Sequence, residues 1–488
     1  MIRQLTPTLP TFVALLLVLG SCAPPPPEPP AAFGAVPSQA QLDWHEMETN
    51  AFIHFTTNTF TNLEWGYGDE SPAIFNPTDL DVDQWMETLQ ETGFKGVILT
   101  SKHHDGFTLW PSEYTDHSVK QSPWEDGQGD IVKLVEESAR SHGMKFGAYL
   151  SPWDRNRADY GDSTYVTYYR HQLREIFENY GPIFEMWLDG ANGGDGHYGG
   201  ADETRRIDGE HYYDWPTTIN MVRELQPEPY TIVFSDAGPD IRWVGNERGV
   251  AGETNWNTID PDTLYAGKAG ITDLLNTGTR GADTWIPAEV DVSIRPGWFY
   301  HAEEDSLVKT PEQLFEIYLT SVGRGSVLLL NIPPDRRGRI HENDVASLRA
   351  WRRMIDSTFA EDLAAGAEAT GDAFRGMHEE YAPGQALDDD SETYWATDDG
   401  ATSGSLTLTL AEPVEIGYVM LQEPIKLGQR VAGFRVLAEV DGEIQEIGNG
   451  TTIGYKRILP VERVTTDKLT IEITDALAAP LLSKVAVY

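Results

Sequence analysis

Residues 184–191 read Phe-Glu-Met-Trp-Leu-Asp-Gly-Ala, a mostly apolar run that stops abruptly at a carboxylate and a glycine. A strand that leaves a core through Asp-Gly carries its acid to a rim, although Asp189 taken alone could equally cap a turn. Three other strand-like runs end in similar chemistry. Residues 96–101 run into Lys102-His103-His104-Asp105-Gly106, residues 145–150 into Ser151-Pro152-Trp153-Asp154, and residues 231–234 into Ser235-Asp236. Four such endings read as one face of a sheet that gathers polar groups.

From residue 42 to residue 353, short apolar runs alternate with amphipathic stretches. The clearest helical segment is 164–179, with Tyr169, Leu173, Ile176 and Phe177 at helical spacing, and 130–141 and 215–225 follow it. Strand-like runs stand at 51–55, 96–101, 145–150, 183–188, 231–234 and 326–331. This repetition predicts an α/β chain with a (β/α)8 TIM-like barrel that has some irregular units. A doubly wound sheet is the competitor, but no G-x-G-x-x-G opens a first helix. Around 358–371 the composition turns to Ala, Gly and acidic residues, which marks a boundary. Beyond it, 406–410 alternates with period two, as do parts of 434–440 and 468–473, which predicts an all-β, jelly-roll-like sandwich. Residues 388–395, Asp-Asp-Asp-Ser-Glu-Thr-Tyr-Trp, resemble the opening motif of discoidin-type modules of carbohydrate-binding family 32; the acidic cluster could hold a structural Ca²⁺ through carboxylates and carbonyls, or could be a solvated acidic turn. The expected organisation is a leader at 1–22, a Pro-rich tether at 23–40, the barrel at 41–357 and the sandwich at 365–488.

Lys+Arg of 36 against Asp+Glu of 77 leaves a net charge of −41, which repels phosphate backbones and argues against a nucleic-acid partner. Fourteen tryptophans are many for this length, and flat indole faces suit the apolar side of sugar rings. Near the N-terminus an apolar stretch at 12–19 leads into Gly20-Ser21-Cys22; residues 19–22 resemble a bacterial lipobox, and Cys22 is the one cysteine of the chain. The expectation is a lipid on Cys22, attachment to the membrane through that anchor only, and a place in the bacterial cell envelope. Internal disulfides are excluded.

Two carboxyl groups suffice for glycoside hydrolysis, one acting at the anomeric carbon and one on the leaving oxygen. Asp189 is a candidate for the first role. For the second, Glu247 follows Arg242-Trp243-Val244-Gly245-Asn246 on a loop, and a Glu beside tryptophan can have its pKa raised; Glu253 and Glu289 are rivals that position alone does not exclude. Adjacent histidines cannot easily face one ion, so His103 and His104 predict no catalytic metal and no catalytic cofactor.

These pieces carry a resemblance. Ala51-Phe52-Ile53-His54-Phe55, Glu64-Trp65-Gly66, Lys102-His103-His104-Asp105-Gly106-Phe107, Tyr149 with Ser151-Pro152-Trp153, and Trp187-Leu188-Asp189-Gly190 resemble, in order, the α-L-fucosidases of glycoside hydrolase family 29. The resemblance implies a retaining exo-fucosidase with Asp189 as nucleophile. It implies that His54, Glu64, Trp65, His103, His104, Tyr149 and Trp187 hold the fucose, with Trp65 or Trp298 over its methyl group. The segment around Glu247 is similar to the branch that prefers α-1,3 and α-1,4 linkages on Lewis-type glycans, which favours Glu247 over Glu253 and Glu289 as acid/base. The Gly- and Asp-rich stretch 192–208 is longer than the family pattern after the nucleophile. The alternatives are a fucosidase of broad or α-1,2 preference, a related glycosidase for another sugar such as galactose, and a non-catalytic surface protein that captures fucosylated glycans. The oligomeric state is not readable.

Overall fold

The computed structural model describes residues 27–488. Eight parallel strands close a barrel in sequence order: β1 (Thr49–Ile53), β2 (Gly96–Lys102), β3 (Lys145–Leu150), β4 (Glu185–Trp187), β5 (Ile232–Ser235), β6 (Ile241–Trp243), β7 (Ala288–Ser293) and β8 (Val327–Asn331), which returns to β1. Helices Val82–Glu91, Ile131–Ser141, Ser163–Asn179, Trp215–Leu225, Thr272–Thr277, Pro311–Thr320 and Glu342–Thr358 cover it. Asp81 and Asp130 start the first two by accepting from Gln84 and Lys133 N–H. Residues 236–240 join β5 to β6 without a helix.

Strands β6 and β7 were not evident in the sequence. β6 is only Ile-Arg-Trp, and its buried Arg242 is satisfied by backbone carbonyls, with Nε donating to Leu275 O at 2.9 Å. In β7 the valines Val290 and Val292 join the main core cluster, while Glu289, Asp291 and Ser293 alternate with them on the opposite face. Alternating carboxylates and valines ordinarily mark a solvated strand; here all six residues of β7 are buried.

Helix α1 (Gln39–His45), opened by a Ser38–Gln41 capping box, closes the barrel's lower end. Its Trp44 packs with Phe52, Ile98, Ile232 and Leu329 inside the barrel. The stretch from Glu28 to Phe33, within the expected Pro-rich tether, lies on the C-terminal unit: Arg375 Nε donates to Glu28 O at 2.7 Å, Arg430 Nη2 to Ala31 O at 2.7 Å, and Phe33 N to Leu427 O at 3.0 Å. The leader and Cys22 lie outside the described residues.

The C-terminal unit is built on a six-stranded sheet whose long strands, Gly404–Gln422 and Arg457–Ala476, pair antiparallel. A two-stranded sheet of Trp395–Ala396 and Leu481–Leu482 packs on it, with Trp395, Leu406, Leu408, Val419 and Leu482 in one core. Trp395 is fully buried and is no platform for sugar. The acidic run beside it does not converge. Thr393 Oγ1 donates to Asp388 at 2.7 Å, Lys484 pairs with Asp389 at 2.8 Å, and Lys426 pairs with Glu392. Among the described residues no group of three or more His, Cys, Asp or Glu side chains is placed to hold a metal ion.

Candidate active site

Parallel strands bring their C-terminal ends to one face, and there the barrel opens into a cleft of about 710 Å³. Asp189, two residues past β4, lines it. Tyr149 on β3 donates its hydroxyl to Asp189 Oδ2 at 2.7 Å, and Ala191 N–H donates to Oδ1 at 2.7 Å. The carboxyl is 19% exposed, enough to be reached from the cleft while both oxygens are held. The Asp-Gly sequence has a steric reason as well: a Cβ at position 190 would run into the Asp236 carboxyl.

The imidazoles are buried, and their tautomers follow from their partners. Ser151 donates its hydroxyl to Trp153 O at 2.7 Å, so His104 Nδ1 must donate to Ser151 Oγ, 2.7 Å away. Its Nε2 is then an acceptor, 3.7 Å from Asp189 Oδ2. Asn331 directs its amide N–H groups to Ser293 Oγ and Trp298 O, so its Oδ1 accepts from His54 Nδ1 at 2.8 Å, and His54 Nε2 is likewise an acceptor. Burial lowers His54 to about 3 and His104 to about 4, and holds His103 well below the usual value. Three neutral imidazoles therefore line the cleft, two with lone pairs free to accept from hydroxyl groups.

Aromatic rings form the walls. Trp187 lies flat on Phe234, with centroids 3.9 Å apart, and stacks at 5.3 Å on Tyr149. Trp65 is 45% exposed and stands edge-on to both Trp153 and His104. Trp298 sits against His54 at 5.3 Å. Glu64, expected to touch sugar, is not among the residues lining the cleft. It accepts from Trp298 N–H at 2.7 Å and pairs with His301, fixing the loop that presents Trp298.

Glu247 lies on the loop after β6, not directly after β5, and lines the cleft. Trp298 Nε1 donates to its Oε2 at 3.3 Å. Burial raises its pKa and the charges of Asp189 and Glu64 raise it further, against the opposing pull of the indole. The rivals lie elsewhere. Glu253 pairs with Arg324 and with Arg457 at the junction with the C-terminal unit. Glu289 is buried below the cleft, where its carboxyl accepts from Trp187 Nε1 at 2.9 Å.

Two further carboxyls line the cleft: Asp236, read from the sequence only as part of a strand ending, and Asp291, not singled out there. Asp236 accepts from Gly267 N–H at 2.8 Å, and burial, helped by Asp189, pushes it up to about 6. Asp291 accepts from Trp243 Nε1 at 2.8 Å and is held well above the usual range by burial and then by the Glu247 charge. The Ser235-Asp236 strand ending was a usable signal for the first; Asp291 was concealed in the alternation of β7. The long stretch after Asp189 forms a hairpin, Asp195–Gly196 with Glu203–Thr204, tied down by Arg155 to Asp195 at 2.9 Å, and it brings Arg205, Arg206 and Ile207 to the outer cleft.

Residues 32–355 match the family model described as alpha-L-fucosidase. The alpha-L-fucosidase 1 of Arabidopsis thaliana is 40% identical over 458 residues, covering 93% of this chain and 87% of its own length. A relative from Oryza sativa subsp. japonica is 41% identical over 474 residues, covering 96% of this chain and 88% of its own. The crystal structure of a glycoside hydrolase 29 family member from an unknown rumen bacterium superposes with a TM-score of 0.84 at 41% identity, over 94% of this chain and 78% of that one. A Ruminococcus gnavus GH29 fucosidase in complex with fucose does so with 0.85 at 32% identity, over 95% and 96%. The plant relatives correct the expectation of a lipid-anchored protein of the bacterial cell envelope, which rested on residues outside those described. With the barrel, the cleft and near full-length similarity in agreement, the chain belongs to glycoside hydrolase family 29 and is an α-L-fucosidase.

Proposed function

We propose that the enzyme is a retaining exo-α-L-fucosidase that removes α-1,3- and α-1,4-linked fucose from Lewis-type oligosaccharides or glycoconjugates. Asp189 attacks the anomeric carbon as the glycosidic bond breaks, and Glu247 gives its proton to the departing oxygen. Water then attacks the same carbon while Glu247 takes a proton from it, and Asp189 is released. The observation that carries this reading is that Asp189 and Glu247 line one cleft in different settings, the first held by two donors and the second raised in pKa. His54 and His104 accept from fucose hydroxyls, His103 and Tyr149 complete the polar floor, and Trp65 and Trp298 cover the apolar methyl side. Glu64 acts on the sugar indirectly, by placing Trp298.

The test is fucose release from a Lewis-a trisaccharide, 2′-fucosyllactose and an aryl fucoside side by side. Release chiefly from the first supports the linkage assignment and Glu247. Preference for either of the others would unseat that assignment and leave the hydrolase. A 2-deoxy-2-fluoro fucoside should add its mass to the peptide that carries Asp189; a label elsewhere would displace the nucleophile.

The C-terminal sandwich is proposed to brace the barrel. Gln429 accepts from Asn257 N–H at 2.8 Å and donates to Asn255 O at 3.0 Å, and Thr452 Oγ1 accepts from Asn255 N–H at 2.9 Å. Binding of the intact protein to immobilised galactosylated glycans, with the cleft saturated by fucose, would restore the discoidin-type glycan-binding role.

A further inference from the structure

Below the cleft, the barrel interior holds two carboxyl groups that the reaction does not use. Glu185 on β4 and Glu289 on β7 are both fully buried. Trp44 Nε1 donates to Glu185 Oε2 at 3.1 Å, and Trp187 Nε1 donates to Glu289 Oε2 at 2.9 Å. The other oxygen of each side chain, Oε1, is buried and finds no donor, and each carboxyl influences the protonation of the other. Ionised carboxylates only accept, so a proton on one of the two is what would satisfy these orphaned oxygens.

The surroundings favour a single shared charge. The interior cluster at this level is Trp44, Phe52, Ile98, Ile232 and Leu329, which offers nothing to balance two negative groups. From β7 the facing titratable group is Asp291, itself acidic and sensitive to Glu289; from α1 the pair meets the indole of Trp44, and from β4 that of Trp187. Burial raises both carboxyls above the ordinary range, and the Glu185 charge raises Glu289 further. Trp187 in turn stacks on Tyr149, whose hydroxyl holds Asp189.

We propose that Glu185 and Glu289 share one proton and act as positioning residues, joining the Trp44 plug to Trp187 and thereby fixing the Tyr149–Asp189 pair in the fucose pocket. The inference rests on the proposed site. A carboxyl whose pKa is raised by folding contributes stability that is present at low pH and lost as pH rises through the raised value. Loss of the shared proton leaves two charges in an apolar interior, and Trp187 loses its support.

The experiment follows three readouts across pH 6 to 10 on the intact protein: calorimetric binding of L-fucose, turnover of an activated aryl fucoside whose departure needs no proton from Glu247, and the thermal midpoint. Wild type should lose all three on the alkaline side. Glu289→Gln keeps a donor for Glu185 and an acceptor for Trp187 with no proton to lose, so fucose binding at pH 6 should stay within about threefold of wild type and the alkaline fall should vanish. Glu289→Met removes the acceptor and should weaken fucose binding about tenfold at pH 6. Should the Met variant not fold, Glu185→Gln provides the same comparison, with the alkaline fall again expected to vanish. The idea is overturned if Glu289→Gln keeps the wild-type alkaline fall, or if Glu289→Met binds fucose as wild type does. Wild type that binds no fucose at pH 6 would overturn the site reading instead, and the alkaline drop of its thermal midpoint, with its absence in Glu289→Gln, would still decide on the shared proton.

Discussion

Tyr149 and Asp189 are joined before any substrate arrives: the phenol donates to Oδ2 at 2.7 Å while the backbone of Ala191 holds Oδ1. In the proposed mechanism Asp189, the attacking group, is thus fixed by strand β3 and by its own turn, which removes the freedom it would otherwise lose on reaching the transition state. Tyr149→Phe keeps the ring stack on Trp187 and removes only the donor. Its kcat should fall about 10- to 100-fold with a smaller change in KM. Steady-state kinetics that show an unchanged kcat would mean that Oδ2 needs no orientation from Tyr149.

In its proposed role Glu247 must hold a proton to assist departure, and burial with the charges of Asp189 and Glu64 raises its pKa. The rate on a glycan substrate should therefore decline as pH rises through that raised value. Glu247→Gln should reduce turnover of a Lewis-type substrate by about 10²- to 10⁴-fold and that of an activated aryl fucoside far less. Equal losses on the two substrates would remove Glu247 from the acid role.

Asp236 is pushed up to about 6 by burial and by Asp189, so the cost of ionising it grows as the pH rises from the ordinary carboxylate range and is complete above that value. The raised value makes its contribution fullest at low pH and lost on the way up through about 6. Asp236→Asn retains an oxygen for the Gly267 N–H and has no charge to form. Its thermal midpoint should exceed that of wild type at pH 8 and approach it only below about pH 4, and a gain that is equal at both would contradict the ionisation argument.

Glu253 ties Arg324 on the barrel to Arg457 of the sandwich, and its side chain is two-thirds exposed. Glu253→Gln should cost about 1 kcal/mol or less of stability, seen as a small drop in thermal midpoint, and leave kcat within about twofold. A loss of turnover on the scale expected for Glu247→Gln would reopen the choice of acid.

What the sequence settled is the local grammar. Apolar runs that end at Asp189, His103-His104 and Ser151 could be read because a strand's boundary is written within a few residues of its end, and the Leu-Thr alternation of 406–410 is a strand pattern wherever it occurs. Those signals were enough for the barrel, the sandwich and the nucleophile candidate. They failed for β6 and β7, where Arg242 and the Glu289-Asp291 alternation look solvated, since backbone carbonyls that bury a guanidinium and indoles that bury a carboxyl come from distant segments. Only the closed barrel separates Glu247, Glu253 and Glu289 in space, setting one in the cleft, one at the sandwich and one beneath the floor. It also sets Glu64 against the backbone of Trp298, whose N–H it accepts. A side chain's chemistry is fixed by its residue type, but its role depends on which solvent and which partners the packed chain leaves it, and those come from strands hundreds of residues apart.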